Sequence, residues 1–521
     1  METNDGSIIK KELAGKNVLI TGCTGFLGKV LLEKLLRSTP DIGGIYLVVR
    51  GSAKYASARE RFEAEISSST VFNHLRSQDA IAFQTLCDEK VHVVAGEITQ
   101  AKFGLKDSEF TKLADTIDLI VNSAASVNFR EELDKALTIN TLCLNNIIEL
   151  AEAGGDIPVV QVSTCYVHGF NQGDIYEETK PPAGRDVKRN SRGQYVIDDT
   201  VEYLQKKITR VKDKVRSEKE LPAKLVELGI EQAHKFGWND TYTFTKWMGE
   251  QLLIEKLHKK SLSIVRPAII ESTAFGPQPG WIEGVKVADA IIFAYARGKL
   301  SMFPGDSKAI IDIIPADLVA NSIILAMAKV FISPNQTHIY QSCSSGSNPV
   351  RAGQFRDYMI DEGTANFEAY PKLFRGNRPA DHFPLAPQAV FDNALKALQI
   401  PLDVAQKARS IFGIDDQKFG FHQNLDTAAK LSTVFAFYSQ PKYTFHNGKL
   451  LDLAEELGVS GNSEFAVDPK LVDWKTYIGK VHLAGLEKYA LIDKKKSADS
   501  SKAESAQVKT ISSKAKKSSA A

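Results

Sequence analysis

Short, almost wholly apolar runs recur at residues 18–20, 45–49, 91–95, 119–121, 159–162 and 262–265, and stretches with apolar residues at helical spacing lie between them at 26–36, 131–153 and 242–258. A strand that lacks polar alternation must be covered on both faces, and helices of ten or more residues can supply the cover. The alternation predicts an α/β fold: a doubly wound parallel sheet with helices on either side.

The rhythm breaks at about residues 171–238, which open with turn residues and Pro181-Pro182 and continue through a charged segment at helical spacing, 204–221. This predicts an insertion beside the site. Beyond Tyr340 the alternation stops, a turn-rich joint follows at 342–349, and the remaining pattern is mainly helical. A chain of 521 residues exceeds the ~250–300 at which single cores stop growing, so two units are expected. They are a first domain over 1–345 and a mainly helical C-terminal domain over 346–491. Residues 492–521 are mostly Lys, Ser and Ala and cannot bury enough surface to offset ordering entropy, so they are expected to be disordered.

Charge narrows the choice of partners. The chain carries +2 overall, but eight lysines against Asp499 and Glu504 lie after residue 493, so the body alone is slightly acidic. Nucleic acid is therefore not expected as a partner. The lysine tail could attach weakly to an anionic membrane surface, although a solvated tail is the simpler reading. Cysteines 23, 87, 143, 165 and 343 are scattered without ligand spacing, so no metal is expected and a reducing compartment is. The N-terminus lacks an apolar signal region and no apolar run reaches ~18 residues, which predicts a cytoplasmic protein with no membrane span.

The chemistry concentrates at strand ends. The run at 18–20 leads into Thr21-Gly22-Cys23-Thr24-Gly25-Phe26-Leu27-Gly28 and then a helical stretch. Glycines so spaced allow a tight turn, close backbone approach to a pyrophosphate, and helix-on-strand packing, with phosphates at the helix N-terminus. A Rossmann-type dinucleotide site follows from that context. Arg50 ends the next strand, where an NAD enzyme would place an acid for the ribose, so it suits the 2′-phosphate of NADPH. Lys54 and Arg59 could add positive potential. Further on, Thr164 follows the fifth strand, and Tyr242 and Lys246 share a helix face. A phenol near pKa 10 exchanges protons poorly at neutral pH, and a neighbouring ammonium should lower it. Tyr242 then serves as proton donor, tuned by Lys246, with Thr164 holding the carbonyl oxygen. Cys165, one residue on, should face the packed side of the sheet and form no acyl-enzyme.

With Asn122-Ser123-Ala124-Ala125, Asn140 and Arg266-Pro267, this set resembles the extended short-chain dehydrogenase/reductase family. Segments 122–135 (NSAASVNFREELDK), 237–252 (GWNDTYTFTKWMGEQL), 279–290 (PGWIEGVKVADA) and 473–489 (DWKTYIGKVHLAGLEKY) are similar to alcohol-forming fatty acyl-CoA reductases, particularly bacterial ones, over roughly residues 12–491. The resemblance implies NADPH as cofactor and a C-terminal domain like that of plant male-sterility proteins. It also implies long-chain acyl-CoA, or an acyl carrier protein thioester, as substrate. By the same comparison Glu97 and Ile98 lie by the adenine, and Ala124, Asn140 and Pro267 along the cofactor. An aldehyde-forming thioester reductase and a sugar-nucleotide or steroid-type dehydrogenase share parts of this set. Oligomeric state is left open. Trp238, Phe244, Trp247 and Trp281 could line an acyl tunnel, although core packing explains each as well. The run 312–317 reads as punctuation between strand and helix, and His234 and His422 show no partner in sequence.

Overall fold

The computed structural model describes residues 6–286, 288–298, 302–393, 438 and 441–491. His422, the tail after Leu491 and part of the expected C-terminal domain lie outside these residues. Seven parallel strands form the central sheet: β1 (Val18–Thr21), β2 (Ile45–Val49), β3 (Val91–Ala95), β4 (Leu119–Asn122), β5 (Val159–Val162), β6 (Leu262–Pro267) and β7 (Thr337–Ser342). Their order across the sheet is β7-β6-β5-β4-β1-β2-β3. The four strands from β1 through β4, β5 and β6 are buried along their whole length, which is why their sequences are mainly apolar runs, with polar residues such as Gln161 and Arg266 held by buried hydrogen bonds. The edge strands β3 and β7 keep exposed positions, and β7, with His338 and Gln341 among its residues, carries no such run.

Helix α1 (Phe26–Ser38) follows β1, α2 (Thr241–Lys256) precedes β6, and α3 (Ala316–Ile332) precedes β7. The stretch predicted as one helix over 131–153 is Leu133–Leu137 and Leu144–Ala153, joined by one wide turn in which the Cys143 amide donates to Thr138 five residues back. The insertion is a helical hairpin, Asp198–Lys214 and Leu221–Phe236, whose Leu204, Leu225 and Phe236 pack into the same apolar cluster as α2.

The C-terminal stretch packs directly against the sheet. Tyr443–Phe445 pairs in parallel with Gly173–Ile175. The side chain of Gln341 on β7 donates to the carbonyls of both Ile175 (2.9 Å) and His446 (2.7 Å). Phe445, Leu450, Ile478 and Leu483 belong to one buried cluster with Val18, Ile20 and the apolar face of α3. Among the described residues no helix is long and apolar enough to cross a membrane.

Candidate active site

The strand order reverses between β1 and β4, and a ligand crevice forms where loops diverge at such a switch point. Here a cleft of about 1080 Å³ opens at the C-terminal ends of the strands. Gly22, Thr24, Gly25, Phe26, Leu27, Gly28, Arg50, Glu97, Ile98, Ala124, Thr164, Tyr242, Lys246 and Pro267 all line it.

Three glycines shape one end. Gly22 has φ +78°, and a Cβ there would lie 2.7 Å from the Ala124 amide nitrogen. A Cβ on Gly28 would lie 2.5 Å from the Gly22 carbonyl oxygen, so its absence sets how closely α1 meets β1. Gly25, at the start of α1, would meet only that carbonyl at 3.2 Å. No side chain caps α1, so its first amides and partial positive charge face the cleft. Beneath them a buried chain of hydrogen bonds ties three strands together. Thr21 Oγ1 donates to Asn122, Asn122 Nδ2 to Gln161 (2.8 Å), and Gln161 Nε2 to the Val162 carbonyl (2.7 Å).

Arg50 reaches out from the end of β2, its side chain 67% exposed, with Nε 3.5 Å from Glu97. Arg61 also lines the cleft and donates to the Arg50 carbonyl at 2.8 Å, a placement that no sequence spacing signalled. Arg59 is committed elsewhere, to Asp88 at 2.7 Å, and Lys54 lies over the Tyr55 ring, so neither adds to the site.

At the other end Asp240 caps α2 by accepting from the Thr243 amide (2.8 Å), which fixes the helix turn carrying Tyr242. Thr164 lies beside the Tyr242 phenol in the cleft. Burial, reinforced by the Asp240 carboxylate, pushes the phenol above its ordinary range, opposite to the expected lowering. Lys246 Nζ donates 2.6 Å to the Val162 carbonyl, and burial brings its pKa down to about 8, against the pull of Glu250. The ammonium thus rests on β5, and dehydration rather than its charge governs the phenol.

Asn140 is the one predicted residue that does not line the cleft. It is buried, accepts from the Ser126 amide (2.9 Å), and donates to the Ser126 carbonyl (3.1 Å) and Thr245 (3.0 Å). It therefore braces the loop that carries Ser126. Cys165 faces the packed side: its thiol donates 3.0 Å to the Arg266 carbonyl, and burial holds its pKa up. Arg266 forks onto Glu250 at 2.9 and 2.6 Å, tying β6 to α2. Asp317 accepts from the amides of Ala274, Phe275 and Gly276, and Asp312 from those of Ser344 and Ser345, so both organise loops. His234 meets the Asn239 carbonyl at 2.9 Å on the surface.

The aromatic tunnel suggested by Trp238, Phe244 and Trp247 is core. Their rings pack on one another at 4.6–5.1 Å, while Trp281 stacks on Phe26. The aromatic rings beside the phenol are others. Phe129 lies edge-on to Tyr242 at 5.6 Å and against Tyr438 at 5.3 Å, and Tyr438 meets Tyr166 at 4.8 Å. Tyr438 also donates 2.9 Å to Asp240. Only the Asp-x-Tyr order before α2 hinted at this group; the rest meet through tertiary contact.

A family model described as male sterility protein matches residues 20–323. Fatty acyl-CoA reductase 8 of Arabidopsis thaliana is 33% identical over 491 residues, 92% of this chain and 98% of its own. The chloroplastic fatty acyl-CoA reductase 2 of that plant is 31% identical over 92% of this chain and 79% of its own. The alcohol-forming fatty acyl-CoA reductase of Simmondsia chinensis is 31% identical over 93% and 99%. These three are plant proteins, so the bacterial likeness expected from the sequence is not what they carry. In fold, the chain is similar to the terminal R domain of the myxalamid biosynthetic pathway (TM-score 0.58, 21% identity, 91% and 90% of the two chains). It is likewise similar to a nonribosomal peptide synthetase reductase domain of Mycobacterium tuberculosis (TM-score 0.56, 18% identity, 92% and 95%). With a Rossmann-type sheet, a glycine cradle and a Thr-Tyr-Lys group in one cleft, and relatives matched nearly end to end, this chain belongs to the fatty acyl-CoA reductase family.

Proposed function

We propose that the protein reduces long-chain fatty acyl-CoA to fatty alcohol through an aldehyde, using NADPH, in lipid or wax ester metabolism. One observation carries the reading: a single cleft joins the glycine cradle to Thr164, Tyr242 and Lys246. The alcohol-forming product is supported by the name of the Simmondsia relative, and NADPH by the exposed guanidinium of Arg50 at the end of β2.

The residues present fit a dinucleotide, since Gly25 lines the cleft with no side chain in the way and the first turn of α1 is uncapped toward it. Gly25 and the α1 amides would hold the pyrophosphate, with Arg50 and Arg61 on the 2′-phosphate side. When bound, NADPH supplies hydride. Thr164 and Tyr242 together hold the thioester carbonyl oxygen, and the phenol gives that oxygen its proton. Because burial keeps the phenol protonated at neutral pH, it is a donor rather than a base in this direction. Lys246, charged below about pH 8 and one helix turn from Tyr242, holds that helix to the Val162 carbonyl at the end of β5. Collapse of the hemithioacetal releases the thiol. The aldehyde is then reduced by the same groups, since the sequence offers one glycine loop of this spacing and one such Thr-Tyr-Lys set.

The test is to follow NADPH consumed per CoA released with palmitoyl-CoA, and to offer free fatty aldehyde to the wild type and to Tyr242→Phe. A ratio of two, with both substrates lost in the mutant, is expected. A ratio of one with aldehyde accumulating would make the enzyme aldehyde-forming, and full aldehyde reduction by the mutant would place the second step at another site.

A further inference from the structure

Behind the cleft wall, outside the groups used above, Glu271, Asp289 and His482 converge in a fully buried pocket. They come from three elements: the short strand Ile269–Glu271 that follows β6, the helix Asp289–Ala296, and the C-terminal stretch Tyr477–His482. One ligand atom from each lies within 4.8 Å of the others. His482 Nε2 stands 2.8 Å from Asp289 Oδ1 and 3.7 Å from Glu271 Oε2, and the three side chains are 0–1% exposed.

In two of the three, His482 and Asp289, the outward atom is already pinned. His482 Nδ1 pairs with Ser272 Oγ at 2.9 Å, and Ser272 is in turn held by Tyr477, whose hydroxyl donates to the Ser272 carbonyl at 2.7 Å. Asp289 Oδ2 accepts the Lys286 amide. Imidazoles and carboxylates that bind metals are oriented in this way, with the non-ligating atom fixed by a neighbouring group. Glu271 is the anomaly. Neither of its oxygens accepts a hydrogen bond of normal geometry, and the Ala288 amide faces the carboxylate without attaining one. A buried carboxyl group without partners is costly, and a cation is one of the few things that offsets that cost. The nearby cation, Lys286, directs its ammonium to the Glu283 carbonyl and the Phe26 ring, so two acids face a single amine.

We propose that Glu271, Asp289 and His482 form a binding site for a divalent first-row transition ion of the zinc or manganese class, one imidazole and two carboxylates being donors suited to such ions. The bound ion fastens the strand after β6, whose Ile269 and Ile270 line the cleft, to the C-terminal stretch carrying His482. Its role is structural, because Glu271 is buried away from the cleft that Ile270 lines. Sequence spacing could not reveal it, since the three ligands are far apart along the chain.

Full-length protein, purified, stripped with chelator and dialysed, would be titrated with Zn2+ and with Co2+. Metal content, the Co2+ visible absorption and the Tm would be read for wild type, Glu271→Gln and His482→Gln. The site predicts one bound ion per chain and a Tm raised by Zn2+ in the wild type. Affinity should fall about tenfold or more in each variant, as loss of a donor or its support does in metal sites. Glu271→Gln keeps the shape of the side chain, and its near-ultraviolet circular dichroism reports whether packing survives. A wild type that binds no ion, or variants that bind as it does, overturns the proposal.

Discussion

The two ends of the cleft are built by different means. The glycine end is made of backbone: three glycines within seven residues, an uncapped helix start, and arginines at the rim. The Thr-Tyr-Lys end is made of side chains brought from separate segments, Thr164 after β5, Tyr242 and Lys246 on α2, and Tyr438 from the C-terminal stretch, with Thr164, Lys246 and Tyr438 buried and Tyr242 half-buried at the cleft. At the first end spacing along the chain sets the geometry and Arg50 stands exposed to solvent. At the second, packing sets the geometry and burial moves the acidities of Tyr242 and Lys246. A site described by its residue types alone would miss that these two halves answer to different perturbations.

Four outcomes would break or sharpen this contrast. The largest effect belongs to the buried end: Tyr242→Phe should lower turnover on the order of 10²–10⁴-fold, the usual contribution of a positioned acid, while dinucleotide binding followed by fluorescence stays near wild type. Equal loss of binding would mean that the phenol supports the fold of the cleft rather than proton transfer.

At the backbone end, Gly28→Ala places a Cβ 2.5 Å from the Gly22 carbonyl oxygen, and such overpacking costs about 1–3 kcal/mol. Gly25→Ala, with its nearest contact at 3.2 Å, should leave the denaturation midpoint nearly unchanged yet weaken cofactor binding. Identical midpoints for the two variants would show that helix-on-strand packing is not what Gly28 protects.

Arg50→Glu should cut the ratio of kcat/KM for NADPH over NADH by about tenfold, the lower end for a charged hydrogen bond because the side chain is largely exposed. An unchanged ratio would transfer the 2′-phosphate to Arg61.

The smallest effect is a slope. Lys246 titrates at about 8 in the folded chain against 10.5 ordinarily, so between those values the unfolded chain holds more protons and stability rises with pH. Catalysis should decline over the start of the same interval as the ammonium is lost. Replacing Lys246 with Met should flatten the stability profile there, measured as midpoint against pH, and an unaltered profile would mean that another group titrates.

How much could be read beforehand differs from element to element. The four central strands were legible because burial on both faces demands mainly apolar runs, whereas β7 was not, since an edge strand tolerates the His338 and Gln341 it carries. The glycine loop was legible because its chemistry is local. The sign of the Tyr242 shift was not: helical spacing puts Lys246 on the right face but says nothing of the Val162 carbonyl that takes its ammonium or of Asp240 beside the phenol. Asn140 was found in the right neighbourhood, but its bonds to Ser126 and Thr245 join segments distant in the chain and left no mark in its spacing. The tryptophans of α2 and its approach could equally have faced a tunnel, and only three-dimensional packing put them in the core.

The sequence alone therefore determined the sheet class, the glycine loop at the end of β1 and the shared helix face of Tyr242 and Lys246, because each is encoded by periodicity or by spacing within one strand-loop-helix unit. Tertiary structure alone decided what surrounds them: Phe129, Tyr166 and Tyr438 around the phenol, Arg61 beside Arg50, and the meeting of Glu271, Asp289 and His482. Dehydration and contact between residues distant in the chain are properties of the folded chain, and no window of the sequence contains them.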